Sequence, residues 1–214
     1  MKEVHMTPSI CAIILAAGTS SRMGKPKQLL LLNERPLLEH VIQRVLAAPF
    51  SDVVAVIGNE AEQIQKEISV EDKRFQWLVN ENYLSGQSSS LQAGISHVGQ
   101  QHDGIMIFLG DLPFISDATI QRIMNAGMIS LKDYKDSFII QPSYHGETGH
   151  PVFFGSLNRD LIMQIKGDTG AKAIMKNISY RKLLEVEDEG ILFDIDTPEI
   201  YEKAKKLWGV KRSG

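Results

Sequence analysis

A segment near the N-terminus combines glycines and small residues with cations, a composition that suits phosphate binding. It reads Leu15-Ala-Ala-Gly-Thr-Ser-Ser-Arg-Met-Gly-Lys-Pro-Lys-Gln-Leu29, contains Arg22, Lys25 and Lys27, and includes no acidic residue. Glycine lets backbone N–H groups approach a phosphate closely, arginine offers a planar fork, and lysine offers a point charge. The segment therefore predicts a polyphosphate-binding loop, and a solvated basic loop is the alternative.

The spacing of its glycines excludes two well-known phosphate loops. A Walker A loop has four residues between its glycines, followed by Lys and then Ser or Thr. Here five residues separate Gly18 from Gly24, and Pro26 follows Lys25. The dinucleotide-binding pattern GxGxxG does not occur in this segment either. Phosphate binding by this loop would therefore use a backbone arrangement that differs from both patterns.

Two acidic segments offer ligands for a divalent cation that would accompany a polyphosphate. Asp111 follows the apolar run that ends at Leu109, and Asp194 and Asp196 lie just before Thr197. Carboxylate oxygens are ligands that Mg²⁺ prefers, and acids two residues apart share one face of an extended chain. The alternatives are a turn-capping role for Asp111 and a solvated acidic pair leading into a helix.

A third polar segment runs from Asn80 to Leu91 and contains Gly86 and three consecutive serines. Its hydroxyl groups and backbone donors could bind a base or a ribose. The alternative is a serine-rich cap before a helix. The residues that could make such contacts are Ser88, Ser89 and Ser90.

These candidate residues follow the ends of predicted strands in an alternating pattern of strands and helices. Strands are predicted at Ile10–Leu15, Asp52–Ile57, Phe75–Val79, Gly104–Leu109, Ser137–Gln141, Pro151–Phe154 and Arg181–Val186. Helices are predicted at Leu37–Ala48, Ala61–Ile68, Ser88–Val98, Asp117–Met128, Leu157–Ile165 and Ala171–Asn177, and after Thr197. The pattern predicts a Rossmann-like three-layer α/β/α sandwich with a mostly parallel central sheet. Because such sheets bind ligands at the carboxyl ends of their strands, we expect the site in the loops after Leu15, Val79 and Leu109.

Composition limits the class of protein. The 214 residues carry 23 Lys and Arg against 26 Asp and Glu, and 43% are hydrophobic. Disorder is excluded, and the net charge of −3 argues against a nucleic-acid partner. We expect one domain over residues 1–214, with 211–214 frayed. The apolar run Ile10–Ala17 is too short to span a membrane, no signal-peptide pattern precedes it, and the lone Cys11 is expected in the core. These features predict a cytoplasmic protein with no membrane partner.

The glycine-containing segment resembles the signature of the MobA-like nucleotidyltransferases, L-A-[AG]-G-x-S-x-R-M-G-x-x-K. The matched positions are Leu15, Ala16, Ala17, Gly18, Ser20, Arg22, Met23, Gly24 and Lys27. Further family-like elements are G-D-x-P at Asp111, N-x5-G-x-x-S-S-L from Asn80, G-H-P-V at His150, G-D-x-G-A at Asp168 and D-I-D-T-P-E from Asp194. The resemblance spans Ile10 to about Lys203 and implies the nucleotide-diphospho-sugar transferase type of fold.

The resemblance also implies roles for individual residues. Nucleoside triphosphate would contact Leu15, Ala16, Ala17, Gly18, Arg22 and Lys27, and its base would lie near Asn80, Gly86, Ser88, Ser89 and Ser90. The metal Asp would be Asp111, completed by Asp196 or, as a second choice, Asp194. The catalytic residues would be Arg22, Lys27 and Asp111. The acceptor would lie near Gly149, His150 and Asp168, although a structural role for His150 and a helix-capping role for Asp168 stay open.

The resemblance is strongest to molybdenum cofactor cytidylyltransferases and to the related purine-catabolism proteins of bacilli. It implies transfer of CMP from CTP to molybdopterin with Mg²⁺ and release of pyrophosphate, in support of a xanthine dehydrogenase-type enzyme. CTP is favoured over GTP because Ala17 stands where the guanylyltransferases carry a second glycine. The alternatives are a sugar- or alditol-phosphate transferase, a GTP-dependent enzyme, a non-catalytic cofactor chaperone and a generic nucleotide-binding protein.

Overall fold

The computed structural model describes residues 8–20, 23–98, 101–158, 175 and 178–210, and places a mostly parallel sheet of eight strands at the centre. The strands of this sheet are β1 (Ile10–Leu15), β4 (Asp52–Ile57), β5 (Phe75–Val79), β6 (Gly104–Leu109), β7 (Phe138–Tyr144), β8 (Glu147–Thr148), β9 (Val152–Gly155) and β10 (Tyr180–Glu185). Their order is β10-β7-β9-β6-β1-β4-β5, with β8 paired to β7. A separate hairpin consists of β2 (Leu31–Leu32) and β3 (Arg35–Pro36). The helices are α1 (Leu37–Leu46), α2 (Ala61–Glu67), α3 (Gln87–Val98), α4 (Asp117–Asp133) and α5 (Pro198–Val210).

The central strand β1 is buried on both faces, which explains its unbroken run of apolar residues. It pairs in parallel with β4 and β6, and Ile14 lies opposite Ala55 on one side and Phe108 on the other. Cys11 is fully buried, as the sequence predicts, and burial raises the pKa of its thiol to about 12.

Alternate side chains of β1 pack against different helix layers, because successive residues of a strand point to opposite faces. Ala12 and Ile14 belong to a core that includes residues of α1 and α4. Cys11 and Ile13 belong to a second core that includes Leu91 of α3. The sheet therefore lies between two helical layers, and the predicted α/β/α sandwich is confirmed.

Several details differ from the sequence prediction. The hairpin β2–β3 and the short strand β8 are additional, and α4 continues to Asp133 rather than Met128. The strand β9 runs antiparallel to both β6 and β7. The predicted helices over 157–165 and 171–177 lie almost entirely outside the described residues, as does the end of the chain at 211–214. No helix in the described ranges is both long and apolar enough to cross a membrane.

The C-terminal helix α5 brings the second acidic segment to the sheet. Its first turn follows Thr197, whose hydroxyl accepts a hydrogen bond from the backbone of Ile200 at 3.3 Å. The helix packs on the β2–β3 hairpin, where the Tyr201 hydroxyl donates to the Leu31 carbonyl at 2.7 Å. The hairpin directly follows the glycine-containing loop, and α5 directly follows the acidic segment. The packing of α5 on the hairpin therefore brings the loop and the acidic segment to the same side of the molecule.

Candidate active site

A lysine and two aspartates from distant parts of the chain meet at the carboxyl edge of the sheet. The Lys27 ammonium donates to Asp111 Oδ2 at 2.5 Å and to Asp196 Oδ1 at 2.6 Å. Their side chains are 17%, 16% and 24% exposed, respectively. Burial alone lowers the pKa of Lys27, but the two carboxylates outweigh it and the pKa lies above its usual value. The ammonium is therefore held firmly in its charged form.

Backbone hydrogen bonds fix this arrangement. The N–H of Gly110 donates to the Leu15 carbonyl at 2.9 Å, which ties the end of β6 to the end of β1. The N–H of Ile195 donates to the carbonyl of Asp111 at 3.1 Å. This second bond brings the Asp194–Asp196 segment beside Asp111, although more than 80 residues separate them in the sequence.

The carboxylates form a site of concentrated negative charge that suits a divalent cation. Burial, together with the charges of Asp196 and Asp111, raises the pKa of Asp194. Asp111 Oδ1 is buried and has no hydrogen-bond partner among the described residues. Oxygen ligands of this kind fit Mg²⁺. Within the described ranges no three Asp, Glu, His or Cys side chains are grouped to hold a metal, so substrate oxygens or water would have to complete its coordination.

The described part of the glycine-containing loop is tied to Lys27 by a hydrogen bond. Ser20 adopts a left-handed backbone conformation with φ of 54°, and its carbonyl accepts a hydrogen bond from the Met23 N–H at 2.8 Å. The Ser20 hydroxyl in turn accepts from the Lys27 N–H at 3.0 Å. Lys25 is exposed, whereas the predicted phosphate ligand Arg22 lies outside the described residues.

A cavity with a volume of about 380 Å³ lies between this loop and the start of α3. We call it the first cavity. Of the residues predicted to bind nucleotide, seven line it: Leu15, Ala16, Ala17, Gly18, Lys27, Gly86 and Ser90. Tyr83 and Leu84 contribute an aromatic ring and an aliphatic side chain to the wall, and Leu84 is 77% exposed. The cavity thus has an apolar side and, at Lys27 and Asp111, a charged side.

Three of the predicted base-side residues, Asn80, Ser88 and Ser89, are not among the residues that line these two cavities. Asn80 is buried, and its side-chain amide donates to the hydroxyls of Ser89 and Ser90 at 2.9 and 3.0 Å. Its Oδ1 accepts from the Asn82 N–H at 3.0 Å. The side chains of Asn80 and Ser89 thus stabilise the turn before α3, and Ser90 is the serine that reaches the cavity.

The second cavity, of about 410 Å³, adjoins the first and is lined by two of the three acceptor-side residues predicted from the sequence. Gly149 and His150 line it together with Asp194 and Asp196. Burial lowers the pKa of His150, whose Nδ1 lies 3.4 Å from the Ile107 carbonyl oxygen. The ring is therefore neutral near pH 7. The two cavities share Gly18, Thr19, Lys27, Gln87, Leu109 and Asp111, while the predicted Asp168 lies outside the described residues.

Sequence reasoning missed several residues of the cavity walls. Thr19 and Gln87 line both cavities, and Tyr83, Leu84 and Gln28 line the first. Gln28 is 3% exposed and makes hydrogen bonds to the loop backbone, yet it stands in an apolar stretch after Lys27. A lone amide inside such a stretch is the signal that could have identified it, because a buried polar group needs hydrogen-bond partners.

The fold and this charged cleft define a class of α/β proteins that bind nucleotides at the carboxyl edge of a sheet. Residues 12–185 match the family model described as the MobA-like NTP transferase domain. The chain belongs to this family.

Its relatives carry different names. The chain is 30% identical to nicotine blue oxidoreductase of Paenarthrobacter nicotinovorans over 90% of this chain and 94% of that protein. It is 27% identical to the purine catabolism protein PucB of Bacillus subtilis, over 94% and 98% of the two chains. It is also 27% identical to a probable molybdenum cofactor guanylyltransferase of Natranaerobius thermophilus, over 95% and 98%. Because these names cover more than one reaction, the substrate has to be argued from the site.

Solved structures bear out the fold. Rv0371c from Mycobacterium tuberculosis superposes with a TM-score of 0.79 at 24% identity, covering 94% of this chain and 99% of that one. At this level of identity the similarity establishes the architecture, and the chemistry must come from the residues themselves.

Proposed function

We propose that the protein is a divalent-metal-dependent nucleotidyltransferase that joins a nucleoside monophosphate to a phosphate of its acceptor. The single observation that carries this proposal is the meeting of two cavities at Lys27 and Asp111. One cavity has the size and mixed walls expected for a nucleotide. The other opens on the same charged groups and can hold an acceptor beside the reacting phosphate.

The proposed reaction asks for positioning and charge neutralisation rather than covalent catalysis. A phosphate oxygen of the acceptor attacks the α-phosphorus, the new P–O bond forms, and the bond to the leaving pyrophosphate breaks. Because the acceptor phosphate is already ionised near pH 7, no strong general base is required. His150 is then proposed to contact the acceptor rather than to act as a base.

The proposed metal ligands are Asp111 and Asp196, with Asp194 beside them. When bound, a divalent cation such as Mg²⁺ would supply positive charge and orientation to the phosphates. Lys27 would then exchange one or both carboxylates for phosphate oxygens, which remain within reach of a flexible ammonium. Arg22 is proposed as a second phosphate contact on the strength of its motif, and the loop backbone supplies neutral N–H donors.

We propose CTP as the donor. Ala17 lines the first cavity, and we propose that its methyl group takes up space there that the second glycine of the guanylyltransferases would leave open. A smaller base is therefore favoured. The Ala17→Gly variant is expected to raise the relative rate with GTP, which a comparison of kcat/KM for CTP and GTP measures. An unchanged ratio would remove this argument for CTP.

We propose molybdopterin as the acceptor, which would make the product the cytosine dinucleotide form of the molybdenum cofactor. Support comes from the relatives named for molybdenum cofactor guanylyl transfer and for purine catabolism. The polar second cavity and the cationic loop suit a phosphorylated acceptor. A xanthine dehydrogenase-type enzyme would then be the recipient of the product.

The test is to incubate the protein with Mg²⁺, each of the four NTPs and either molybdopterin or a panel of sugar and alditol phosphates. Pyrophosphate release and product mass are measured, with Asp111→Asn as the inactive control and Lys25→Met as the matched active control. The proposal expects turnover with CTP and molybdopterin. Turnover only with sugar or alditol phosphates would contradict molybdopterin as the acceptor. NTP binding without pyrophosphate release would contradict the enzymatic function.

A further inference from the structure

The buried amide of Gln28 holds the glycine-containing loop by its backbone. Its Nε2 donates to the Ala16 carbonyl at 2.7 Å and to the Gly18 carbonyl at 3.1 Å. Its Oε1 accepts from the Ser20 hydroxyl at 3.3 Å. Both N–H bonds of the amide and its oxygen are thus used, and all three partners belong to one loop.

Lys27, the residue that precedes Gln28, adds a further hydrogen bond to this network. The hydroxyl of Ser20 also accepts the Lys27 N–H at 3.0 Å, so the loop is held at two adjacent positions of the same short turn. This turn spans Lys27–Leu29, and within it Gln28 is the buried residue. The backbone of Lys27 and the described loop residues Ala16, Gly18 and Ser20 are consequently held together by one hydrogen-bond network.

Holding a carbonyl also orients the amide on the other side of the same peptide plane. In a trans peptide the C=O and the following N–H point in opposite directions. The bonds from Gln28 to Ala16 and Gly18 therefore turn the N–H groups of Ala17 and Thr19 away from Gln28. Neither N–H has a hydrogen-bond partner within the described ranges, and both residues form part of the cavity wall.

We propose that Gln28 is a positioning residue for polyphosphate binding, acting through the Ala16 and Gly18 carbonyls to aim the Ala17 and Thr19 amides at phosphate oxygens. The inference rests on the proposed function, because it needs a polyphosphate in the cleft. It predicts that the loop loses affinity for phosphate when the Gln28 amide is removed, because that amide bonds to the loop and acts on the ligand through the loop backbone. Two preorganised donors to a charged group are involved, so we expect affinity to fall about tenfold or more.

The experiment compares Gln28→Met with Gln121→Met. Methionine keeps the length of glutamine but has no N–H donor. Gln121 is an exposed residue of α4 whose amide donates to the Asn125 side chain at 2.8 Å. Affinities for Mg²⁺–tripolyphosphate and for Mg²⁺–CTP are measured by calorimetry at a temperature where circular dichroism shows each variant fully folded. A change in overall stability alone does not alter affinity under that condition.

The proposal expects both ligands to bind about tenfold more weakly to the Gln28 variant and unchanged to the Gln121 variant. Hydrogen exchange of the loop amides should rise in the Gln28 variant as well. Unchanged affinity in folded Gln28→Met would overturn the inference while leaving the proposed function intact. If that variant does not fold, Gln28→Leu gives the same comparison, since leucine is also uncharged and offers no N–H donors to the two carbonyls. Failure of the wild-type protein to bind either ligand would instead contradict the proposed function.

Discussion

Replacing Lys27 by Met removes the cation that neutralises Asp111 and Asp196. All three side chains are at least three-quarters buried, so the two carboxylates would remain close together with little solvent to screen them. Leaving one side of a buried ion pair unpaired costs about 3–5 kcal/mol. Partial exposure reduces this cost, and we expect a loss of about 2–3 kcal/mol of unfolding free energy near neutral pH.

The expected loss is large enough to measure and small enough for a metal ion to recover. In a chain of this size, 1 kcal/mol shifts the melting temperature by about 2–4 °C, so the variant should melt about 4–12 °C lower in the presence of EDTA. A ligand at a hundred times its dissociation constant adds about 2.7 kcal/mol. Added Mg²⁺ or Mn²⁺ should therefore restore most of the stability of Lys27→Met, and should stabilise the wild type less.

The assay is thermal denaturation in EDTA and at rising metal concentration, with Lys25→Met as the control. Lys25 is an exposed cation of the same loop, so its loss should change the melting temperature little. Folding raises the pKa of Lys27. Its contribution to the free energy of unfolding is therefore complete below about pH 10.5, and is lost as pH rises through the raised pKa. Wild type should therefore lose more stability than Lys27→Met in strong alkali. Equal melting of Lys27→Met and Lys25→Met in EDTA would refute this account of the charged centre.

Three further substitutions probe the walls of the cleft. Asp194→Asn should raise the melting temperature in EDTA by about 2–4 °C, since it removes a carboxylate whose charged form is disfavoured by burial and by Asp196 and Asp111. Metal titration of this variant should show weaker binding. Gly58→Ala places a Cβ only 2.6 Å from the Tyr83 Cβ, so CTP affinity should fall by calorimetry, whereas Gly209→Ala, with no atom within 4 Å, should bind normally. His150→Gln should lose less stability than wild type as pH falls below about 6.5. Burial lowers the pKa of His150 in the folded protein, so acid favours the unfolded state, in which the ring is protonated more readily. Equal acid sensitivity of the two proteins in thermal denaturation would contradict this.

The sequence predicts the centre of the sheet well because burial on both faces leaves a strong signal. Strands β1, β4 and β6 are long apolar runs closed by glycine or a turn, and their bounds match the prediction. Strand β9 is just as apolar, yet its antiparallel direction depends on pairing with β6 and β7. Such pairing is set by tertiary contacts, so composition cannot reveal it. The β2–β3 strands are only two residues long and carry too little pattern to be recognised.

The candidate site is predicted in its residue types but only partly in its contacts. The motifs indicate that Lys27, Asp111 and Asp196 share a cleft, and the structure brings their side chains into direct contact. The sequence assigns Lys27 to phosphate and the acids to metal, whereas the side chains pair with one another because opposite charges at this distance attract strongly. Residues such as Gln28, which act through backbone carbonyls, escape prediction because their partners are not visible as side-chain types.

The central claim is that Asp111 and Asp196 hold a divalent cation in the same cleft that binds the nucleotide. The most direct test is a crystal structure of the protein with Mn²⁺ and a non-hydrolysable CTP analogue, in which anomalous scattering locates the metal. The account predicts Mn²⁺ within about 2.2 Å of oxygens of both aspartates and of the nucleotide, with Lys27 on a phosphate. A metal bound elsewhere, or a nucleotide bound while Lys27 still bridges Asp111 and Asp196, would contradict it.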